Sequence, residues 1–120
     1  MEVDVPDNAL RKVLEDDRKR VRAFGKDIAS KLAIRLAALL AAERLSDFWP
    51  PFKLPERCHE LKGELKGTFS IDLKHPFRLL FRPVEERPTD PMSMDKERDE
   101  LERWSSITHV DIVAVKDTHD

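Results

Sequence analysis

The chain has 120 residues, enough for one domain around a modest core. Hydrophobic residues make up 40% and charged residues 38%, which fits a globular fold with a very polar surface. No apolar run approaches the roughly 20 residues of a membrane span. The net charge of −2 hides two opposed blocks: residues 11–35 hold nine Lys/Arg against four Asp/Glu, and residues 85–102 hold three against eight. The first block suits a phosphate-bearing or acidic partner, or is a solvated helix face. The start, MEVDVPDNAL, has no basic stretch followed by an apolar one, so no secretion signal is read there. A single cysteine, Cys58, excludes an internal disulfide and a thiolate zinc cluster, and a reducing cytoplasm is expected.

In chain order, Val3 and Val5 alternate with Asp4 as in a short first strand, stopped by Pro6. Asp7 or Asn8 can cap a helix over residues 9 to about 24, which carries Leu10, Val13, Leu14, Val21 and Phe24 at helical spacing. Gly25 ends it, and a second helix from about 26 to 44 places Ile28, Leu32, Leu36, Leu39 and Leu40 on one stripe. Together they predict a helical hairpin. Residues 46–57 form a proline loop whose Phe48, Trp49 and Phe52 are expected to pin it to the core.

Strand signals follow. His59-Glu60-Leu61 leads into a Lys/Gly turn, and Phe69, Ile71 and Leu73 alternate with polar residues. Lys74-His75-Pro76 turns the chain into FRLLFR, residues 77–82, with Arg78 and Arg82 on one face. Residues 83–95 read as a mobile loop and 96–103 as a weak, peripheral helix. The last strand, with Val110, Ile112, Val113, Ala114 and Val115, has the pattern of a strand buried on both faces. The sum is a small α+β domain with its helices on one sheet face.

The run CHELKGELKGTFSIDLKHPFRLLFRP, preceded by a helical hairpin and followed by a final apolar strand ending KDTHD, resembles the HigB-type toxins of the RelE/ParE superfamily, the plasmid maintenance killer proteins of type II toxin–antitoxin systems. The resemblance covers about residues 3–83 and 104–119. It implies one RelE/ParE-like domain over residues 1–120, with an N-terminal strand and helical hairpin packed on an antiparallel sheet of about four strands, and an acidic insertion at about 83–103. It implies a ribosome-dependent mRNA endonuclease, with no metal or other cofactor, neutralised by a cognate HigA-like, DNA-binding antitoxin. It maps catalytic roles onto His59, His119, Asp117 and Arg78 and places Thr118 at the middle of the C-terminal tripeptide, and the residue types of Lys62, Lys66, Arg82 and Thr118 suit RNA or ribosome contacts. The family often carries tyrosine where this chain has Thr118, which cannot stack on a base.

The residue types suit that chemistry. Metal-free RNA cleavage needs a base for the 2′-hydroxyl proton, an acid for the leaving 5′-oxygen and cations for the phosphate charge. Histidine serves the first two because it titrates near neutral pH. Two other readings stand beside this one: a ParE-like gyrase poison, and a non-catalytic module that only binds an antitoxin. His75 and His109 read as turn and strand-flank residues, and Cys58 carries no catalytic role.

Overall fold

The computed structural model of the chain describes residues 1–85 and 96–117. Three helices occupy the N-terminal third. Helix α1, Asn8–Leu14, begins where Asp7 accepts the Leu10 N–H at 2.8 Å. Helix α2, Asp17–Phe24, follows after a break. The single helix expected over 9–24 is therefore two. Its apolar stripe lapses between Leu14 and Val21, so no packing holds that stretch straight. Asp16 instead turns extended and accepts the N–H groups of Arg18 and Lys19 at 2.9 and 3.0 Å. Helix α3, Lys26–Ala41, starts at Gly25, whose φ of 84° a side chain would resist. It ends three residues before the expected limit, where Ala42 is extended.

Strands β1 (Glu2–Asp4), β2 (His59–Glu60), β3 (Phe69–Asp72), β4 (Phe77–Pro83) and β5 (His109–Asp117) form one sheet in the order β1-β5-β4-β3-β2. The sheet is mixed rather than antiparallel, and it has five strands rather than four. The added pairing is β1 beside β5, which run parallel with Val3 opposite Val110. Parallel neighbours need a long crossover, and the whole chain between them supplies it. The final strand is also not buried on both faces. Leu80 pairs with Ala114 and Phe81 with Ile112, so Val113 is an extra, unpaired residue, and it is 40% exposed.

The core lies between one sheet face and the helices. Leu14, Leu32 and Leu39 meet Phe69, Ile71, Leu79, Phe81, Val110 and Ile112. Helix α4, Lys96–Ser106, is longer than the sequence suggested, and one residue explains its hold: Trp104 is fully buried. Its ring meets Trp49 edge-on at 5.0 Å and Phe69 at 5.4 Å. Burial of such a side chain is worth roughly 2–3 kcal/mol. Arg103, one position earlier, pairs with Glu60 at 2.7 Å and Glu85 at 2.8 Å, tying α4 to β2 and to the segment just after β4.

The proline loop departs from expectation in one residue. Phe48 is buried and Trp49 packs on Trp104, as anchors should. Phe52 is instead 52% exposed and faces away from the core. Buried Arg35 secures the loop from below: its Nε donates to the Asp72 carbonyl at 2.9 Å, and its Nη1 lies 3.9 Å from the Glu56 carboxylate. Helix α3, the loop and the end of β3 are thereby joined at one guanidinium. Among the described residues no helix is long and apolar enough to cross a membrane.

Candidate functional site

Strand alternation sends Phe69, Ile71, Leu79 and Phe81 to the core and their neighbours to the other face. That second face carries Ser70, Asp72, Arg78 and Arg82, with His59 opposite Ser70 and Lys116 opposite Arg78. A groove of about 930 Å³ opens there, its lining mixing Arg57, Lys62, Arg78 and Lys116 with Glu60, Glu100 and Asp117, beside His59 and Phe52.

His59 lies at its floor and is buried. Its Nδ1 is 2.8 Å from the Arg57 carbonyl. A carbonyl only accepts, so Nδ1 carries the proton and Nε2 the basic lone pair whenever the ring is neutral. Burial holds the His59 pKa below its ordinary value, and the Arg78 and Arg57 charges push the same way. The hydrogen bond to the Arg57 carbonyl and the charge of Asp72 act against them. The net direction favours the neutral ring, the state a general base requires.

Asp72 organises the cations. Its Oδ2 accepts from Arg57 Nη1 at 3.1 Å, and Arg78 Nε lies 3.7 Å from its Oδ1. Oδ1 is buried without a hydrogen-bond partner among the described residues, as is the hydroxyl of Ser70. Two guanidiniums thus sit beside His59 around one carboxylate, an arrangement of charge-assisted contacts.

The loop above His59 is strained. Phe52 and Arg57 have φ of 66° and 50°, and among the described residues they are the non-glycine positions with positive φ. For residues with a side chain that conformation costs roughly 1–2 kcal/mol. It is held by backbone bonds, Phe52 N–H to the Cys58 carbonyl at 3.1 Å and Arg57 N–H to the Lys53 carbonyl at 2.8 Å. The result is a Phe52 ring stacked on His59, centroids 4.1 Å apart and planes 21° apart, with the Arg57 guanidinium 5.4 Å from the Phe52 centroid.

Of the residues singled out in the sequence, His59, Lys62, Arg78 and Asp117 line this groove together. Arg82 shares the face but lies four residues up the strand, where its Nε donates to Thr68 Oγ1 at 3.1 Å. Lys66 is exposed at the end of a short 3-10 turn, outside the groove. Thr118 and His119 lie outside the described residues. Sequence reasoning missed Phe52, Arg57, Asp72 and Lys116. Arg57 and Lys116 each lie next or next-but-one to a residue that was found, which was the one signal available. The thiol of Cys58 is fully buried and its pKa is pushed far up by burial, so it is inert near neutral pH.

A separate group with metal-ligand character lies on the other side of the sheet order. Glu2 and Asp4 of β1 face His109 of β5, with ligand atoms all within 4.8 Å of one another. His109 Nε2 is 2.7 Å from Asp4 Oδ2, an ion pair or hydrogen bond that accounts for the cluster by itself. Neither a family model, nor a curated protein, nor a solved structure matches this chain.

Proposed function

We propose that the chain is the toxin of a type II toxin–antitoxin pair, similar to the HigB-type members of the RelE/ParE superfamily, and that it cuts mRNA on the ribosome without a metal. The observation that carries this reading is the buried His59 beside the Arg57–Asp72–Arg78 cluster in the lining of a groove. His59 Nε2 takes the 2′-hydroxyl proton, the 2′-oxygen attacks phosphorus, and the bond to the 5′-oxygen breaks. Arg57, Arg78 and Lys116 offset the charge that builds on the phosphate oxygens. By the resemblance, His119 returns a proton to the departing 5′-oxygen and Asp117 orients it. Lys62, at the groove's edge, and the basic residues of α1 to α3 favour a ribosomal RNA surface. A HigA-like antitoxin silences the toxin by covering the groove or its route to the ribosome. The whole sits in one cytoplasmic domain.

The test uses purified protein, ribosomes programmed with a defined mRNA, and the same mRNA free. The reading predicts cuts on the ribosome alone, each leaving a 2′,3′-cyclic phosphate on the upstream fragment. Intact mRNA over several messages, with folded protein, contradicts it and leaves a gyrase poison or a binding-only relative.

A further inference from the structure

Among the described residues the non-glycine positions with a left-handed backbone are Phe52, at φ 66°, and Arg57, at φ 50°. Such residues persist where the surrounding structure enforces them, and they gather at functional sites. These two bracket a short turn, residues 52–57, held by the Phe52 N–H to the Cys58 carbonyl and the Arg57 N–H to the Lys53 carbonyl. Both deliver a contact to the same side chain, His59. Arg57 presents its carbonyl to Nδ1 at 2.8 Å. Phe52 lays its ring on the imidazole, centroids 4.1 Å and planes 21° apart. Phe48 and Trp49, earlier in the loop, pack on the core, whereas Phe52 gains the fold no core burial to offset its strain.

The two contacts restrain different things. A carbonyl at Nδ1 sets the tautomer and the direction of that edge of the ring. A stacked aromatic sets the plane and displaces water from one face. Stacking covers a face and not an edge, so it leaves in-plane hydrogen bonding at Nε2 possible. His59 is only 5% exposed although it lines an open groove, and burial is the chief cause that lowers its pKa. We infer that the 52–57 turn is a clamp for His59, in which Phe52 is a positioning residue that fixes the imidazole plane and shields one face from water. As a statement about catalysis this rests on the proposed role of His59 as the base; the clamp itself needs no ligand.

The test is NMR titration of the protein labelled with ¹⁵N at histidine, which reads the tautomer and the pKa of each imidazole. Wild type is compared with Phe52→Gly, Phe52→Trp and a control, Leu54→Ser, in the same turn but 74% exposed and outside the groove. Glycine removes the ring and accepts the left-handed backbone without steric cost, so the turn is kept. The charges acting on His59 are Arg57 in the turn, Asp72 on β3 and Arg78 on β4, and Glu60, Lys62, Glu100, Lys116 and Asp117 share the groove lining. All of them remain in every variant. The inference expects the His59 pKa to rise toward its ordinary 6.5 in Phe52→Gly, because burial is relieved, and to stay near wild type in Phe52→Trp and Leu54→Ser. The Nδ1–H form, dominant in wild type, should give way to a mixture in Phe52→Gly. An unchanged pKa and tautomer in Phe52→Gly, or an equal shift in Leu54→Ser, would overturn the clamp. Cleavage on programmed ribosomes separates this from the broader reading. Phe52→Gly should cut roughly ten- to a hundredfold more slowly in a single turnover, with Leu54→Ser at the wild-type rate. Equal rates with the pKa moved would overturn the positioning role and leave the nuclease. A moved pKa with no cleavage by wild type would overturn the nuclease and leave the clamp.

Discussion

On one face of β3 and β4, Phe69, Ile71, Leu79 and Phe81 are apolar and fully buried; on the other face of the same strands stand Ser70, Asp72, Arg78 and Arg82. The first set holds the fold through area removed from water, which is insensitive to small shifts in direction. The second set depends on register. Moving β3 by one residue against β4 would part Asp72 from Arg78 and send the core set to solvent. The apolar face therefore fixes the geometry on which the polar face relies, and the polar face gives little stability back. Its groups include a buried hydroxyl and a carboxylate oxygen with no hydrogen-bond partner among the described residues, which are costs rather than contributions.

The comparison is broken most sharply from the apolar side. Phe81→Ala removes a fully buried ring that stacks on Phe69 at 5.7 Å, and it should cost about 3–5 kcal/mol. Chemical denaturation checks this. A loss under about 1 kcal/mol would mean that the ring is not the core element its burial indicates.

On the polar face the largest effect expected is that of Asp72→Ala. It strands Arg57 and Arg78 near one another without their shared carboxylate, at a cost of about 1–3 kcal/mol. It also removes a charge that raises the His59 pKa. NMR titration of the His59 ring should therefore show a further fall in pKa, and an unchanged or higher value would separate the two residues electrostatically.

A smaller effect follows from His59 itself. Its folded pKa is depressed, so the unfolded chain binds this proton first as pH falls. The stability that it contributes is present above its ordinary pKa of 6.5 and is lost as pH falls through the folded value. Thermal melts between pH 7.5 and 5, taken on wild type and His59→Gln at about the same buffer strength, should differ in slope in that window, with the variant flatter. Parallel curves would place the titration elsewhere. The smallest effect belongs to Arg103→Lys, which loses the forked contact to Glu60 and Glu85 for under about 1 kcal/mol, and less at high salt.

The apolar face was legible because alternation and helical spacing are local: Phe69, Ile71, Leu73 and the α3 stripe of Ile28, Leu32, Leu36 and Leu39 were read from neighbours in sequence, while Leu40, read with that stripe, is 61% exposed. The mixed sheet was not, because the pairing of β1 with β5 joins residues more than a hundred positions apart. The break at Asp16 was missed because an aspartate mid-pattern can cap as well as face solvent. Helix α4 was underrated because one residue, Trp104, supplies most of its anchorage and lay beyond the stretch judged. In the candidate site, His59, Arg78 and Asp117 were found by motif resemblance and Lys62 by its charge, and all four line one groove. Asp72 was hidden because it reads as the polar half of a strand alternation. Phe52 was hidden because an aromatic in a proline loop predicts an anchor, and its exposure comes from a left-handed backbone that no composition rule reveals.

The most direct measurement sets two histidines against each other. His59 is buried in the groove, and His75 lies exposed in the turn between β3 and β4, lining a different cleft. Single-turnover cleavage of mRNA on programmed ribosomes would be timed for wild type, His59→Gln and His75→Gln. The account predicts a loss of about a hundredfold or more for His59→Gln, the scale of one general base, and wild-type rates for His75→Gln. Equal rates for all three proteins, with folding verified, would contradict the assignment of the groove face as the catalytic surface.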